Sequence, residues 1–151
     1  MIQVSQKSRY ALRALFELAK QYGRGPVRGA DIAERQAIPK RFLESILNQL
    51  RQANVVHSRR GSRGGYELAR SPDQVTVGEA MRITEGSLAK TACVAEGPSR
   101  GCPLYGRCVF TGVWERASGA LAAVYDTITF QELVEEELRG TGEGCPLEYM
   151  I

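Results

Sequence analysis

The sequence predicts a mostly α-helical chain with one small β-hairpin: a three-helix unit whose hairpin projects as a wing, followed by a long helix. Three observations lead there. Apolar residues recur at spacings of three and four through most of the first 50 positions. A glycine-rich, basic turn separates two short β-prone runs between residues 54 and 70. A further helical period then runs from Val109 to Ile128. At 151 residues the chain is one ordinary domain, or a small domain with an appendage, and it is long enough to bury a core without disulfides.

In residues 5–22, Leu12, Leu15, Leu18, Ala19 and Tyr22 form one apolar stripe with Ala11 and Ala14 between them, which is the pattern of an amphipathic helix. "YGRGP" ends it, with glycines to stop the helix and Pro26 to prevent its resumption. "RGADIAERQAI" reads as a short second helix with Ala30, Ile32 and Ala33 facing inward. "AIPKRFLESILNQLRQ" reads as a third, with Pro39 in the first turn, where its missing N–H costs nothing. Its expected buried stripe is Phe42, Leu43, Ile46, Leu47 and Leu50, leaving Lys40, Arg41, Glu44, Ser45, Asn48 and Gln52 outside. In "NVVHSRRGSRGGYELAR" two strands flank a turn in which Gly61, Gly64 and Gly65 allow tight reversal while Arg59, Arg60 and Arg63 project. His57, the only histidine, reads as a half-buried strand residue rather than a ligand.

Two short helices joined by a tight turn, a polar outer face on the second, and a basic hairpin after them make a winged helix-turn-helix. The third helix then fits the major groove, and a hairpin arginine reaches the neighbouring backbone or the minor groove. The charge distribution agrees. Residues 1–70 hold 14 Lys and Arg against 5 Asp and Glu, whereas the remaining residues hold 6 against 12. A basic front half suits a polyanionic partner, double-stranded DNA. The expected DNA-binding residues are Lys40, Arg41, Glu44, Ser45, Asn48, Arg59, Arg60 and Arg63. The glycine-rich turn lacks the helix with Lys-Ser or Lys-Thr that a nucleotide-binding loop requires.

"SPDQVTVGEAMRIT" predicts a short helix beginning near Thr76. In the long helix beyond, Val109, Val113, Ala117, Leu121, Val124 and Ile128 form a stripe that must be covered. Pairing with the same helix of a second subunit covers it economically; packing within the monomer is the alternative. Thr129 with Glu132 is a capping box opening a last helix, "FQELVEEEL", whose Glu135, Glu136 and Glu137 read as a solvated face. "RGTGEG" reads as the start of a flexible tail. The expected division is therefore a DNA-binding domain over 1–88, a cysteine-rich loop over 89–108, the dimerisation helix and its successor over 109–138, and a tail over 139–151.

Between these helices lies "CVAEGPSRGCPLYGRC", which holds three of the four cysteines. Cys93, Cys102 and Cys108 on a Gly- and Pro-containing loop are able to wrap a polynuclear metal centre. Zinc fits less well, because structural zinc sites favour paired ligands two to four residues apart and need four. Reduced thiols acting as small apolar fillers are the plain alternative. "GCPL" occurs at 101–104 and again at 144–147, so Cys145 is a candidate fourth ligand or resolving thiol, against the simpler reading of a terminal thiol without a role. A thiol enzyme would need a base beside its cysteine, and the single histidine lies in the wing, so no enzyme is expected. The first residues lack the order of a signal peptide, and no apolar run reaches the roughly 20 residues of a membrane helix. A cytoplasmic, reducing location is expected, where clustered cysteines bind metal or react rather than form bridges.

With "SRYALRAL" at 8–15, "IAERQAIPKRFLESIL" at 32–47, "RRGSRGGYELAR" at 59–70 and the three-cysteine loop, the chain resembles the IscR-like (Rrf-two) winged-helix transcription regulators over about residues 2–138. The cysteine loop is most similar in style to that of the rhizobial iron regulators. The resemblance implies a homodimer that binds palindromic promoter DNA through Arg41, Glu44, Ser45 and Arg60. It also implies a two-iron or four-iron cluster on Cys93, Cys102 and Cys108 that senses iron, redox state or nitric oxide. Where some members carry a fourth-ligand histidine this chain has Thr111, and where others carry an acidic residue near the N-terminus it has Arg9. A cluster-free thiol sensor on the same scaffold is the alternative.

Overall fold

The computed structural model describes residues 4–89, 91–97 and 102–140. The chain runs through α1 (Gln6–Lys20), α2 (Gly29–Arg35), α3 (Lys40–Gln52), β1 (Val56–Arg59), β2 (Gly65–Leu68), a 3-10 turn (Pro72–Gln74), α4 (Val77–Glu85), α5 (Ala92–Ala95), α6 (Thr111–Thr127) and α7 (Phe130–Leu138). β1 and β2 pair antiparallel, with Val56 opposite Leu68 and Arg59 opposite Gly65. This is the helical unit with a hairpin wing that the apolar periods predict. No helix among the described residues is long and apolar enough to cross a membrane.

The core forms where the apolar faces of α1, α2 and α3 meet. Ala11, Ala14, Leu15 and Leu18 of α1, Ile32 of α2, and Leu43, Ile46, Leu47 and Leu50 of α3 are almost wholly buried, with Val55, Val56 and Leu68 of the hairpin closing one side. The small side chains of Ala11 and Ala14 let neighbouring helices approach α1 closely. Just beyond α3, Asn54 takes a left-handed φ of 57° while Val55 N–H donates to the Leu50 carbonyl at 3.0 Å. That cap turns the chain directly into the hairpin.

The last helix returns to this core. Phe130 is fully buried among the residues of the first three helices. The approach is fixed by backbone pairing: Val77 N–H donates to the Ile128 carbonyl at 2.9 Å, and Phe130 N–H donates to the Val75 carbonyl at 3.0 Å. The capping box forms as expected, with Thr129 Oγ1 accepting from Glu132 N–H and the Glu132 carboxylate accepting from Thr129 N–H. Glu137 also pairs with Lys20 of α1 at 2.8 Å.

Several expected positions fall elsewhere. Tyr22 lies beyond the end of α1 and is exposed. Ala30 is exposed because Ile32 and Ala33 already fill the inner face of a seven-residue helix. Pro39 caps α3 one residue before its first turn. Phe42 is 44 % exposed: at about 100° of rotation from Leu43 it sits on the edge of the apolar stripe and leans outward. His57 is exposed, because only Val56 of β1 faces the core.

Glu17 gave no signal in the sequence, being an acidic residue at a core position of α1. Its carboxylate accepts from Arg35 Nη1 at 2.9 Å and from Gln36 Nε2 at 3.0 Å, tying α1 to the end of α2. Burial pushes this carboxyl up, but the hydrogen bonds from Arg35 and Gln36 and the charge of Lys20 outweigh it, so it titrates below its ordinary range. A lowered folded pKa contributes stability above the unfolded value of about 4.3, lost as pH falls through the folded one. Glu17→Ala is expected to cost about 2 kcal/mol at pH 7. The stability gap between wild type and Glu17→Gln should shrink on acidification; denaturant unfolding at neutral and acidic pH checks both.

Candidate nucleic-acid interface and cysteine segment

The turn between α2 and α3 is tight. Ala37 takes φ 48°, its N–H donates to the Glu34 carbonyl at 3.2 Å, and Ile38 N–H donates to the Ala33 carbonyl at 2.9 Å. The buried Ile38 side chain pins this turn to the core. α3 therefore presents Lys40, Arg41, Glu44, Ser45 and Asn48 to solvent, all on exposed positions. Asn48 Oδ1 accepts from Arg51 Nη2 at 2.9 Å. The first turn of α3 contains no acidic residue, while Lys40 and Arg41 stand at the positive end of the helix dipole. Cations there oppose the dipole, an arrangement that an anion such as a phosphate relieves.

The wing is held in place from behind. Val27, before α2, exchanges backbone hydrogen bonds of 2.8 Å with Tyr66 in both directions, so β2 is flanked on both sides. A Cβ on Gly65 would collide with the Val27 carbonyl oxygen, and one on Gly64 with the Arg59 carbonyl oxygen. Gly61 turns the hairpin with φ 110°, which other residues rarely adopt. Arg28 Nη2 donates to the Ser62 carbonyl at 3.2 Å, bracing the tip against the start of α2. At the tip Arg60 and Arg63 are exposed, with no carboxylate partner among the described residues. Arg59 differs, because its Nε donates to Glu67 Oε1 at 2.7 Å across the hairpin. Lys40, Leu43, Glu44 and Leu47 of α3 face Gly29, Ala30 and Tyr66 across a small hollow of about 190 Å³.

The recognition unit is connected to the second half through α4. Gln49 Nε2 donates to the Ile83 carbonyl at 2.5 Å, joining α3 to the last turns of α4. On its other side α4 packs Val77 and Met81, with Leu88, against Ala122, Tyr125 and Ile128. Arg82 makes a two-pronged contact to the Asp126 carboxylate at 2.6 and 2.7 Å, which holds that carboxyl below its ordinary range. Gly78 leaves the space this contact needs, since a Cβ there would strike the Asp126 carboxylate. The opposite face of α6 is uncovered: Val113 is 50 % and Val124 55 % exposed, and Ala117 and Ala120 are exposed beside them.

The cysteines lie between α4 and α6. Cys93 is half-buried in α5, Cys102 is exposed, and Cys108 is half-buried three residues before α6; all three are free thiols. Cys145 lies outside the described residues. Among the described residues no three His, Cys, Asp or Glu side chains stand close enough together to hold a metal ion. The donor chemistry nevertheless fits an iron–sulfur cluster, since three thiols of one short segment are the ligand type such clusters use. Thr91, which caps α5 two residues before Cys93, agrees with that. Its Oγ1 is buried without a hydrogen-bond partner among the described residues, and a sulfur acceptor beside it would satisfy it.

Residues 4–136 match the family model Rrf2, described as an iron-dependent transcriptional regulator. The chain belongs to the Rrf2 family. It is 35 % identical over 136 residues to the HTH-type transcriptional regulator IscR of Sodalis glossinidius, covering 90 % of this chain and 81 % of that one. Among solved structures, T. potens IscR superposes with a TM-score of 0.75 at 33 % identity, covering 93 % of this chain and 91 % of that one. CymR (YrzC), the global cysteine regulator of B. subtilis, superposes with a TM-score of 0.74 at 31 % identity, covering 90 % and 98 %. As an Rrf2 protein the chain is a DNA-binding transcription regulator and not an enzyme.

Sequence periodicity missed two features of this interface: the buried Glu17 that secures the turn, and the outward lean of Phe42 onto Tyr10. Tyr10 offered one signal, a hydroxyl-bearing ring at the edge of the α1 stripe. Gly65→Ala should push β2 away from Val27, costing about 2 kcal/mol and displacing Arg60 and Arg63. Thermal unfolding, read together with DNA affinity, checks this Rrf2 wing.

Proposed function

We propose that this Rrf2 protein is a homodimeric regulator of promoter DNA whose binding is governed by an iron–sulfur cluster on Cys93, Cys102 and Cys108. The observation that carries the reading is the position of the cysteine segment. It joins α4, which is bonded to the recognition helix through Gln49, to α6, whose outer face of Val113, Ala117, Ala120 and Val124 has no cover within the described chain. Pairing of α6 with a second copy buries that face and sets two α3 helices apart by a fixed distance, as half-sites one DNA turn apart require.

The cluster, when bound, supplies a redox-active, oxidant-labile centre and a cross-link between its ligands. The protein's residues do the rest. Cys93 anchors the segment to α5 and Cys108 anchors it to the start of α6, so the order of the segment bears on the seating of α6. The buried Thr91 hydroxyl, which has no hydrogen-bond partner among the described residues, would be available to a cluster sulfur. Lys40, Arg41 and the wing residues Arg60 and Arg63 supply charge to the phosphates, while Glu44, Ser45 and Asn48 face the base edges. Cys145 is the proposed fourth protein ligand.

A second reading is favoured by the exposed thiol of Cys102 and by the likeness to a cysteine regulator. It is a cluster-free thiol sensor on the same scaffold.

Purification without oxygen, followed by visible spectroscopy and assay of iron and acid-labile sulfide, separates the two. The cluster reading expects stoichiometric iron and sulfide with absorbance that bleaches on oxidation and is lost in Cys93→Ala. Colourless protein that cannot be reconstituted would leave the thiol sensor. Arg60→Ala is expected to weaken DNA affinity and lower the salt slope by about one, with iron content unchanged. Binding measured across a salt series checks that.

A further inference from the structure

On the surface next to the start of α3, two helices bring together an unusual stack. The Arg41 guanidinium carbon lies 4.8 Å from the centroid of the Phe42 ring. Phe42 in turn meets Tyr10 of α1, with ring centroids 6.2 Å apart and planes tilted by 47°. The Tyr10 hydroxyl accepts from Gln6 Nε2 at 2.7 Å, and its ring packs against the main core. The order is therefore core, Tyr10, Phe42, Arg41, solvent.

An apolar ring left 44 % exposed on the helix that faces DNA calls for a reason beyond packing. Its neighbour supplies one. Arginine is long and flexible, and holding it in one geometry costs side-chain entropy. A guanidinium laid on an aromatic face is steadied by the ring's electrons, yet its five N–H donors lie in its own plane and point past the ring edge. A guanidinium stacked on a ring in this way uses its face and keeps its hydrogen-bonding edge free, and the Arg41 guanidinium carbon lies over the Phe42 ring. Among the described residues no carboxylate pairs with Arg41, so nothing competes for that edge.

We propose that Phe42, seated on Tyr10, is a positioning residue that pre-orients the Arg41 guanidinium for hydrogen bonding to double-stranded DNA. The inference rests on the DNA-binding reading and adds to it a platform built from α1 and α3 together. Phe42 acts through Arg41, and Gln6 and Tyr10 act through Phe42.

The test uses a duplex selected by the wild-type protein from a random-sequence pool. Affinity is measured over a salt series for wild type, Phe42→Leu, Phe42→Tyr, Arg41→Ala and the double variant. Phe42→Leu keeps an apolar side chain at a half-exposed position and should leave the thermal midpoint near wild type. It is expected to lose about threefold to tenfold in affinity with an unchanged salt slope, because the charge of Arg41 remains. Phe42→Tyr, which keeps the ring, should bind as wild type does. In the Arg41→Ala background, Phe42→Leu should cause no further loss. Tyr10→Leu, which removes the supporting ring from the other helix, should shift affinity in the same direction. An equal loss with and without Arg41, or no loss at all, overturns the platform while the DNA-binding reading stands. A wild-type protein that selects no duplex overturns both.

Discussion

Burial of α1 is the constraint on which the rest of the molecule depends. Its 15 residues meet α2, α3, α4, α7 and the second wing strand, and they do so on nearly every side. Alanines at 11 and 14 make that possible, because larger side chains there would hold the surrounding helices apart. One charged residue is admitted to this interior. Glu17 is tolerated because Arg35 and Gln36 satisfy both its oxygens. They are also the residues at which α2 gives way to the turn. The helix that organises the core therefore sets the angle between α2 and α3.

Much of this was legible from residue spacing. The three helices, the hairpin, the start of α4 at Thr76 and the capping box at Thr129 all follow from local rules of periodicity and capping, which need no knowledge of distant contacts. What spacing could not reveal is tertiary. Phe42 obeys the apolar period yet lies outside, because whether the edge of a stripe is covered depends on the neighbouring helix. Glu17 disobeys the period yet lies inside, because its partners come from another helix. The return of α7 to bury Phe130 in the first core is likewise invisible to a local pattern. The candidate DNA-contact residues could be placed on the exposed surface of α3 and the wing, but periodicity could not tell that Arg59 is engaged by Glu67 while, among the described residues, Arg60 and Arg63 have no carboxylate partner.

The segregation of charge has a physical counterpart in the structure. Basic side chains gather on the first turn of α3 and the wing tip, where each faces solvent rather than an acid. In the second half the carboxylates are used internally, as caps and cross-helix partners: Glu132 at the start of α7, Glu137 against α1, Asp126 against α4. The first turn of α3 and the wing tip are thus left with positive charge, while in the second half Asp126 and Glu137 join helices and Glu132 caps one.

The small contacts around α4 have a mechanical consequence. An exposed ion pair such as Arg82–Asp126 adds little stability by itself. Together with the packing of Val77, Met81 and Leu88 it joins α4 to α6, and Gln49 joins α3 to α4. α3, α4 and α6 are thus bonded in series. The contacts run in one continuous line from the uncovered face of α6 through α4 to α3. The absent side chain at Gly78 is what lets the Asp126 carboxylate seat against α4 and closes that line of contact.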